Sequence, residues 1–177
     1  MPASAALDSL TQACGEKLGA VRWKNDRRVY VPVAPAHVRE AVGHLVGRGG
    51  RLATIAGVDT RNGVELLYFV MFPQEQRIIT VRTMVQKPLP QMASLAGDLP
   101  AANWAEREIQ DLLGVTFTDH PDPRRLIMAD AWPEGTYPYR RDFDMGPYLR
   151  PYEPKADRPP AGQGPKAGSD QEGGRSV

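Results

Sequence analysis

Residues 51–85 read RLATIAGVDTRNGVELLYFVMFPQEQRIITVRTMV, and this stretch decides the fold. It holds three runs rich in Val, Ile, Leu and aromatic residues, Arg51 to Val58, Val64 to Phe72 and Arg77 to Val85, each with the length and composition of a strand. The first two are joined by Asp59-Thr60-Arg61-Asn62-Gly63, whose Asn-Gly is expected to supply the positive φ of a hairpin. The next pair is joined by the short link Pro73-Gln74-Glu75-Gln76. Three strands with two tight reversals predict an antiparallel meander.

Upstream, Arg28 to Val33 alternates as a fourth strand, and Pro35 follows where a helix tolerates a residue without an N–H. Val38, Ala41, Val42 and Leu45 share one face of that helix, and Gly49-Gly50 is suited to the left-handed stop. Further back, Leu7, Leu10, Cys14 and Leu18 recur at helical spacing, which predicts an amphipathic helix over residues 5–19 with Cys14 in the core. The expected fold class is α+β: a helix-covered, mostly antiparallel sheet in the order β-α-β-β-β-α, with a helix near residue 104 as a second cover. The expected divisions are an α+β domain over 1–118, an extended arm over 119–150 and a Pro/Gly-rich tail over 151–177. That tail has no aliphatic side chain larger than alanine except Val177, too little to build a core.

Composition narrows the function classes. A formal charge of +1 over 177 residues gives no global field toward nucleic acid or an anionic membrane, so charge-driven recognition has to be local. Cys14 is the single cysteine, which rules out an internal disulfide and a cysteine-ligated cluster and fits a reducing compartment. No run of about 18 uncharged apolar residues occurs and Met1 to Thr11 has no export pattern, so the chain is expected neither to span a membrane nor to be secreted. His37 and His44 lie two helical turns apart, roughly 10 Å, too far to share one metal ion.

The densest functional signal lies between residues 100 and 143. Asn103 followed by Glu106 has the form of a capping box, and Gly114 that of a C-cap, giving a helix from Trp104 to Leu113. On it Ala105, Ile109, Leu112 and Leu113 form the apolar arc, Glu106 and Glu108 border that arc, and Arg107 is placed to pair with Asp111 across one turn. Glu106, Glu108, Asp111, His120 and Asp122 are metal- and proton-binding residue types. No ligand pair four apart on one helix face exists among them, however, because Glu106 meets Gln110 and Glu108 meets Leu112. Beyond Pro121, recurrent prolines enforce extended chain, along which Trp132, Tyr137, Tyr139, Phe143, Tyr148 and Tyr152 interleave with Arg140, Arg141 and Arg150. Aromatics mixed with arginine are typical anchors of a protein interface; an arm folded back over its own sheet is the alternative.

At these residues the chain resembles the 30-kDa subunit family of respiratory complex I, the NADH-quinone oxidoreductase, a family that also includes the equivalent subunit of membrane-bound group 4 [NiFe] hydrogenases. The motif Asn103-Trp104-Ala105-Glu106-Arg107-Glu108-Ile109-Gln110-Asp111-Leu112-Leu113-Gly114 carries the likeness. So do His120-Pro121-Asp122-Pro123-Arg124-Arg125-Leu126 and Pro138-Tyr139-Arg140-Arg141-Asp142-Phe143. Three positions depart from the family pattern: Asp119 stands where glycine is usual, Ala129-Asp130-Ala131-Trp132 replaces Pro-Asp-Asp-Trp, and Tyr139 replaces leucine.

The resemblance implies a non-redox structural subunit of the peripheral arm of a complex-I-like, ion-translocating oxidoreductase. Such a protein has no active site or cofactor of its own. It is held at the cytoplasmic face of the inner membrane by a large (49-kDa or [NiFe]-hydrogenase-like) subunit and a small iron–sulfur subunit, with membrane subunits reached only indirectly. Iron–sulfur clusters and the [NiFe] centre or quinone belong to those partners. Asn103, Trp104, Glu106, Arg107, Glu108, Asp111, Gly114, His120, Pro121, Arg124, Arg125, Trp132, Arg140, Arg141, Asp142 and Phe143 are the expected motif and interface residues. Replacing Arg140 and Arg141 together by alanine is expected to release the chain with little effect on folding. The departures and the segment Trp132 to Pro138 favour the energy-converting hydrogenase branch, which evolves hydrogen from a low-potential donor, over the NADH-to-quinone branch. A stand-alone RNA-binding sheet and a metal-dependent enzyme are the remaining readings. The first lacks aromatic pairs for base stacking and a basic patch, and no nucleic-acid partner is expected.

Overall fold

The strict alternation of residues 64–72 organises the sheet. In the computed structural model, which describes residues 4–148, the elements run α1 (Ala5–Cys14), β1 (Arg22–Asn25), β2 (Arg28–Pro32), α2 (Val38–Gly47), β3 (Arg51–Asp59), β4 (Val64–Phe72), β5 (Arg77–Val85), β6 (Gln91–Ala93), α3 (Asn103–Leu113) and β7 (Thr116–Thr118). On β4, Val64, Leu66, Tyr68, Val70 and Phe72 are buried and the residues between them are partly exposed, the period of two that one packed sheet face requires. The main sheet has the order β1-β2-β5-β4-β3. The meander β3-β4-β5 is antiparallel as expected, and β2 lies parallel to β5 because α2 carries the chain across the sheet between β2 and β3. The fold class is therefore the α+β arrangement read from the sequence.

Four details differ from the sequence reading. Strand β1, Arg-Trp-Lys-Asn, carries no apolar alternation and was not legible; it forms by antiparallel backbone pairing with β2. Helix α1 ends at Cys14 rather than near residue 19, since Gly15–Lys17 tightens into a 3-10 turn and Leu18 bridges to Val33 of the sheet. In the 59–63 link the positive φ expected of Asn-Gly falls on Gly63 alone, at +158°, and the loop closes through the Thr60 N–H and hydroxyl, which both donate to the Gly63 carbonyl, at 2.9 and 2.7 Å. A small parallel pair, β6 with β7, brackets α3. The stop of α2 is as expected: Gly49 has φ +92°, and the Gly49 and Gly50 N–H groups donate to the carbonyls of Val46 and Leu45 at 3.0 Å.

One core unites the inner sheet face with the helices, built on Leu10, Cys14, Val29, Val31, Val42, Leu45, Leu66, Tyr68, Ile79 and Val81. Burial raises the Cys14 thiol above its ordinary range, consistent with a structural cysteine. Helix α3 lies on β3 at Gly57, where a Cβ would stand 2.4 Å from Leu113 Cδ1. Met1–Asp144 forms one compact unit, so residues 119–144 are structurally continuous with the sheet domain. The second unit, Met145–Val177, is described only to Tyr148, through a 3-10 turn (Gly146–Tyr148) in which the Tyr148 N–H donates to Met145 O at 2.9 Å. The expectations for the 151–177 tail and Tyr152 lie outside the described residues.

The contact at Gly57 yields a direct test. Gly57→Val, which on an open strand would be favoured by β propensity, is expected to lower stability by about 1–3 kcal/mol through overpacking, read as a lower urea midpoint.

Candidate functional site

Helix α3 is entered from a 3-10 turn, Pro100–Ala102, and its N-cap is Ala102, with no side-chain cap. The expected capping box between Asn103 and Glu106 is therefore absent. Asn103 is already the first helical residue, and the Glu106 carboxylate turns inward instead of back toward it. Glu106 has no exposed surface. Its oxygens accept from Ser94 Oγ at 2.6 Å and the Leu95 N–H at 2.8 Å. His120 Nε2 lies 3.7 Å from Glu106 Oε2 and 3.3 Å from Asn103 O. The Asp122 N–H donates to His120 Nδ1 at 3.0 Å, which places the ring proton of the neutral imidazole on Nε2, facing those two oxygens. Burial pushes the Glu106 carboxyl above the usual range, opposed in part by the Ser94 and Leu95 bonds. The buried hydroxyl of Tyr68 is likewise raised, by burial and by Glu106.

The expected Arg107–Asp111 pair is also replaced, because both side chains reach the arm. Arg107 donates to the carbonyls of Arg124 and Arg125 at 2.8 and 3.0 Å and stands 3.2 Å from Asp122 Oδ2. Asp111 Oδ2 accepts from three consecutive backbone N–H groups, Leu126, Ile127 and Met128, at 2.7, 2.8 and 3.2 Å. The loop is stiffened further by Arg125, which donates to Ala129 O and Trp132 O at 3.2 and 2.7 Å. The rings of Trp132 and Phe143 are also in contact, with centroids 6.3 Å apart. Arg124 is exposed and pairs with Asp122, whose carboxyl it holds well below the usual range. Asp119, at the turn into the arm, has φ +59°, the left-handed conformation that glycine adopts most readily.

The arm then caps the other end of the helix. Arg140 donates to Leu113 O at 2.7 Å and Gly114 O at 3.3 Å, and its guanidinium stacks 4.5 Å from the Tyr137 ring centroid. Gly114 has φ +68°, and a Cβ there would meet the Tyr137 ring at 2.4 Å. Arg140 thus bonds within its own chain, so the double alanine replacement of Arg140 and Arg141 is now expected to lower stability rather than leave folding nearly unchanged. The Arg141 N–H donates to Asp59 Oδ2 at 2.8 Å, while Lys87 Nζ lies 2.7 Å from Asp59 Oδ1. Burial pushes the Asp59 carboxyl up, and the Arg141 N–H, Lys87 and Arg140 outweigh it to hold the carboxyl below its ordinary range.

The structure thus divides the expected site residues. Glu106, Arg107, Asp111, Gly114, His120, Arg125, Arg140 and the Asn103 carbonyl join helix to arm, while Trp132 and Phe143 meet each other within the arm. Trp104 is 71% exposed, and Pro121, Glu108, Arg124, Asp142 and the Arg141 side chain also face outward. Sequence reasoning missed Ser94, Asp59 and Lys87, which come from distant segments; only the buried acid at a strand end, Asp59, carried any hint. Among the described residues no group of three or more His, Cys, Asp or Glu side chains is placed to hold a metal ion, and no helix is long and apolar enough to cross a membrane.

Residues 31–149 match the family described as the respiratory-chain NADH dehydrogenase, 30 Kd subunit. The chain is 35% identical to formate hydrogenlyase subunit 5 of Escherichia coli over 125 residues, 68% of this chain and 22% of that protein. It is 42% identical to an NADH-quinone oxidoreductase subunit of Chelativorans sp. over 110 residues, 59% of this chain and 52% of that one. It therefore spans about half the length, or less, of these curated relatives. A chain from the structure of the membrane-bound sulfane sulfur reductase, an archaeal respiratory membrane complex, superposes with a TM-score of 0.72, covering 86% of this chain and 95% of that chain at 21% identity, and so shares the fold.

Two outcomes follow from the geometry. Asp111→Ala leaves three arm N–H groups without their acceptor and is expected to cost about 1.5–3 kcal/mol, with faster proteolytic cutting within residues 121–137. The raised Glu106 carboxyl binds its proton more tightly in the folded chain than in the unfolded one, so stability falls as pH rises from the ordinary glutamate range through the raised folded value. In Glu106→Gln that segment of the pH–stability curve is expected to flatten, measured by thermal melts across pH.

Proposed function

This chain belongs to the respiratory-chain NADH dehydrogenase 30 Kd subunit family, and from that membership we propose that it is a non-redox structural subunit of the peripheral arm of a complex-I-like, ion-translocating oxidoreductase. It docks on the large catalytic subunit beside the small iron–sulfur subunit, at the cytoplasmic face of the membrane, and partners hold the clusters and the catalytic centre. The observation that carries the docking role is Trp104, an indole 71% exposed at the start of α3 on the helix whose inward groups bind the arm. Tyr139, on that arm, is 67% exposed. Large aromatics left in water on a rigid, hydrogen-bonded frame are the typical anchors of an interface.

Within the family the reading favours the energy-converting [NiFe]-hydrogenase branch, supported by the longer share of this chain that aligns with formate hydrogenlyase subunit 5, 68% against 59%. The higher identity to the NADH-quinone oxidoreductase relative, 42% against 35%, favours the second reading. Purification of the full chain from its native membranes in gentle detergent separates them. A large partner with two Cys-x-x-Cys pairs supports the hydrogenase branch, a cysteine-poor one accompanied by a flavin subunit supports the other, and recovery of the chain alone overturns both.

The surface itself is tested by Trp104→Ala combined with Arg141→Glu. Both side chains are exposed, so the isolated chain is expected to melt within about 0.5 kcal/mol of the wild type, while recovery with the large subunit falls by at least about tenfold, the loss expected of an interface anchor worth more than about 1.4 kcal/mol. Unchanged recovery overturns this assignment. Arg140→Ala, by contrast, is expected to lower the melting temperature of the isolated chain.

A further inference from the structure

The outer face of the main sheet has the wrong chemistry for a surface that only meets water. An antiparallel sheet with one solvated face ordinarily alternates apolar inward and polar outward. On β4 the outward positions after Glu65 are Leu67, Phe69 and Met71, all partly exposed. The strand register aligns these across the sheet. Arg28, Ile78, Met71 and Arg51 form one cross-strand row, and Arg22, Tyr30, Thr80, Phe69 and Thr54 form the next. Among the described residues, the helices pack on the opposite face, where Gly57 meets Ile109 and Leu113 of α3 and the buried side chains of α1 and α2 join the single core.

The charges bordering this apolar centre are unbalanced. Glu65 is the acid on this face, and it is ion-paired with Arg82. Arg22, Arg28 and Arg51 meet no carboxylate among the described residues. We propose that this outer face is a second docking surface, distinct from the α3–arm surface, and that its occupant is an apolar patch rimmed by acidic side chains on another protein subunit. The proposal rests on the reading of this chain as a subunit of a larger complex. A second copy of the chain is a poor occupant because its matching face brings the same surplus of arginine. Residues 149–177 offer Leu149, Tyr152 and Val177 as their large apolar side chains, too few to cover the face. A lipid surface favours protruding loop tips or an amphipathic helix over side chains set between neighbouring strands.

Site-specific photo-crosslinking of the full chain in its native membranes tests this. A benzophenone side chain replaces Phe69 in one variant and Tyr139 in another, and the joined peptides are identified by mass spectrometry. The expected adduct at 69 is a peptide of a different protein carrying Asp or Glu next to the joined residue. Adding Arg28→Glu and Arg51→Glu should cut its yield about tenfold or more, while the adduct at 139 persists and the melting temperature is held. With the 139 adduct present, any other result at 69 overturns the sheet-face proposal alone: a second copy, residues 149–177, lipid, no adduct, or an adduct indifferent to the arginine reversals. Absence of adducts at both positions, with the chain recovered alone, overturns the subunit reading beneath it.

Discussion

A carboxylate taken out of water must collect donors, and in this chain those donors come from segments that would otherwise have no reason to meet. Asp111 and Glu106 on α3 and Asp59 at the end of β3 are each largely buried. Asp111 gathers three N–H groups of the arm, Glu106 gathers Ser94 and Leu95, and Asp59 gathers Lys87 and the Arg141 N–H. Leaving any of these acids unmatched costs far more than a pair of surface charges contributes. The path of residues 119–141 is therefore dictated by acids placed earlier in the chain. Apolar packing holds the helices on the inner sheet face, and at Gly57 it seats α3, from which the arm is then gathered.

This explains why the motif on α3 is dense in charge: its buried acids and Arg107 are used to bind the segments around them. Glu106 and His120 are shut inside, and Arg107 and Asp111 are saturated by backbone groups of the arm. The polar side chains of the motif thus work as mortar, and the groups left facing outward, Trp104, Glu108 and the Arg141 side chain, are held on a frame with little freedom to move. On the docking role proposed above, ordering these groups before a partner arrives lowers the entropy lost on binding.

Much of the sheet was legible because its signals are local. The runs rich in Val, Ile, Leu and aromatics, the short links between them and the Gly49-Gly50 stop each depend on neighbouring residues. Cys14 and the apolar arc of α3 followed from helical spacing for the same reason. Strand β1 was hidden because it is short and offers a single large apolar side chain, Trp23, among polar ones, so no periodicity marks it. The capping box failed because Asn103-x-x-Glu106 satisfies the spacing rule while tertiary donors at Ser94 and Leu95 claim the carboxylate. The Arg107–Asp111 pair failed in the same way, since the loop at 124–128 offers carbonyls to one and N–H groups to the other. A local pattern gives the available bonds, and the long-range contacts choose among them. The resemblance of residues 100–143 located the family, whereas the division between inward and outward members of that motif needed coordinates.

The bonds that hold the arm differ greatly in reach along the chain. Those to Arg107, Asp111 and Leu113 close loops of about 15 to 27 residues, whereas the Arg141 N–H to Asp59 bond closes one of 82. Short closures cost less entropy and form sooner. As the chain leaves the ribosome, α3 can therefore gather the arm turn by turn, and the link back to β3 is the last stitch. In that order Trp104 is in place early, whereas Arg141 is fixed only once synthesis has passed it, so the far end of the arm is the last part of the structure to set.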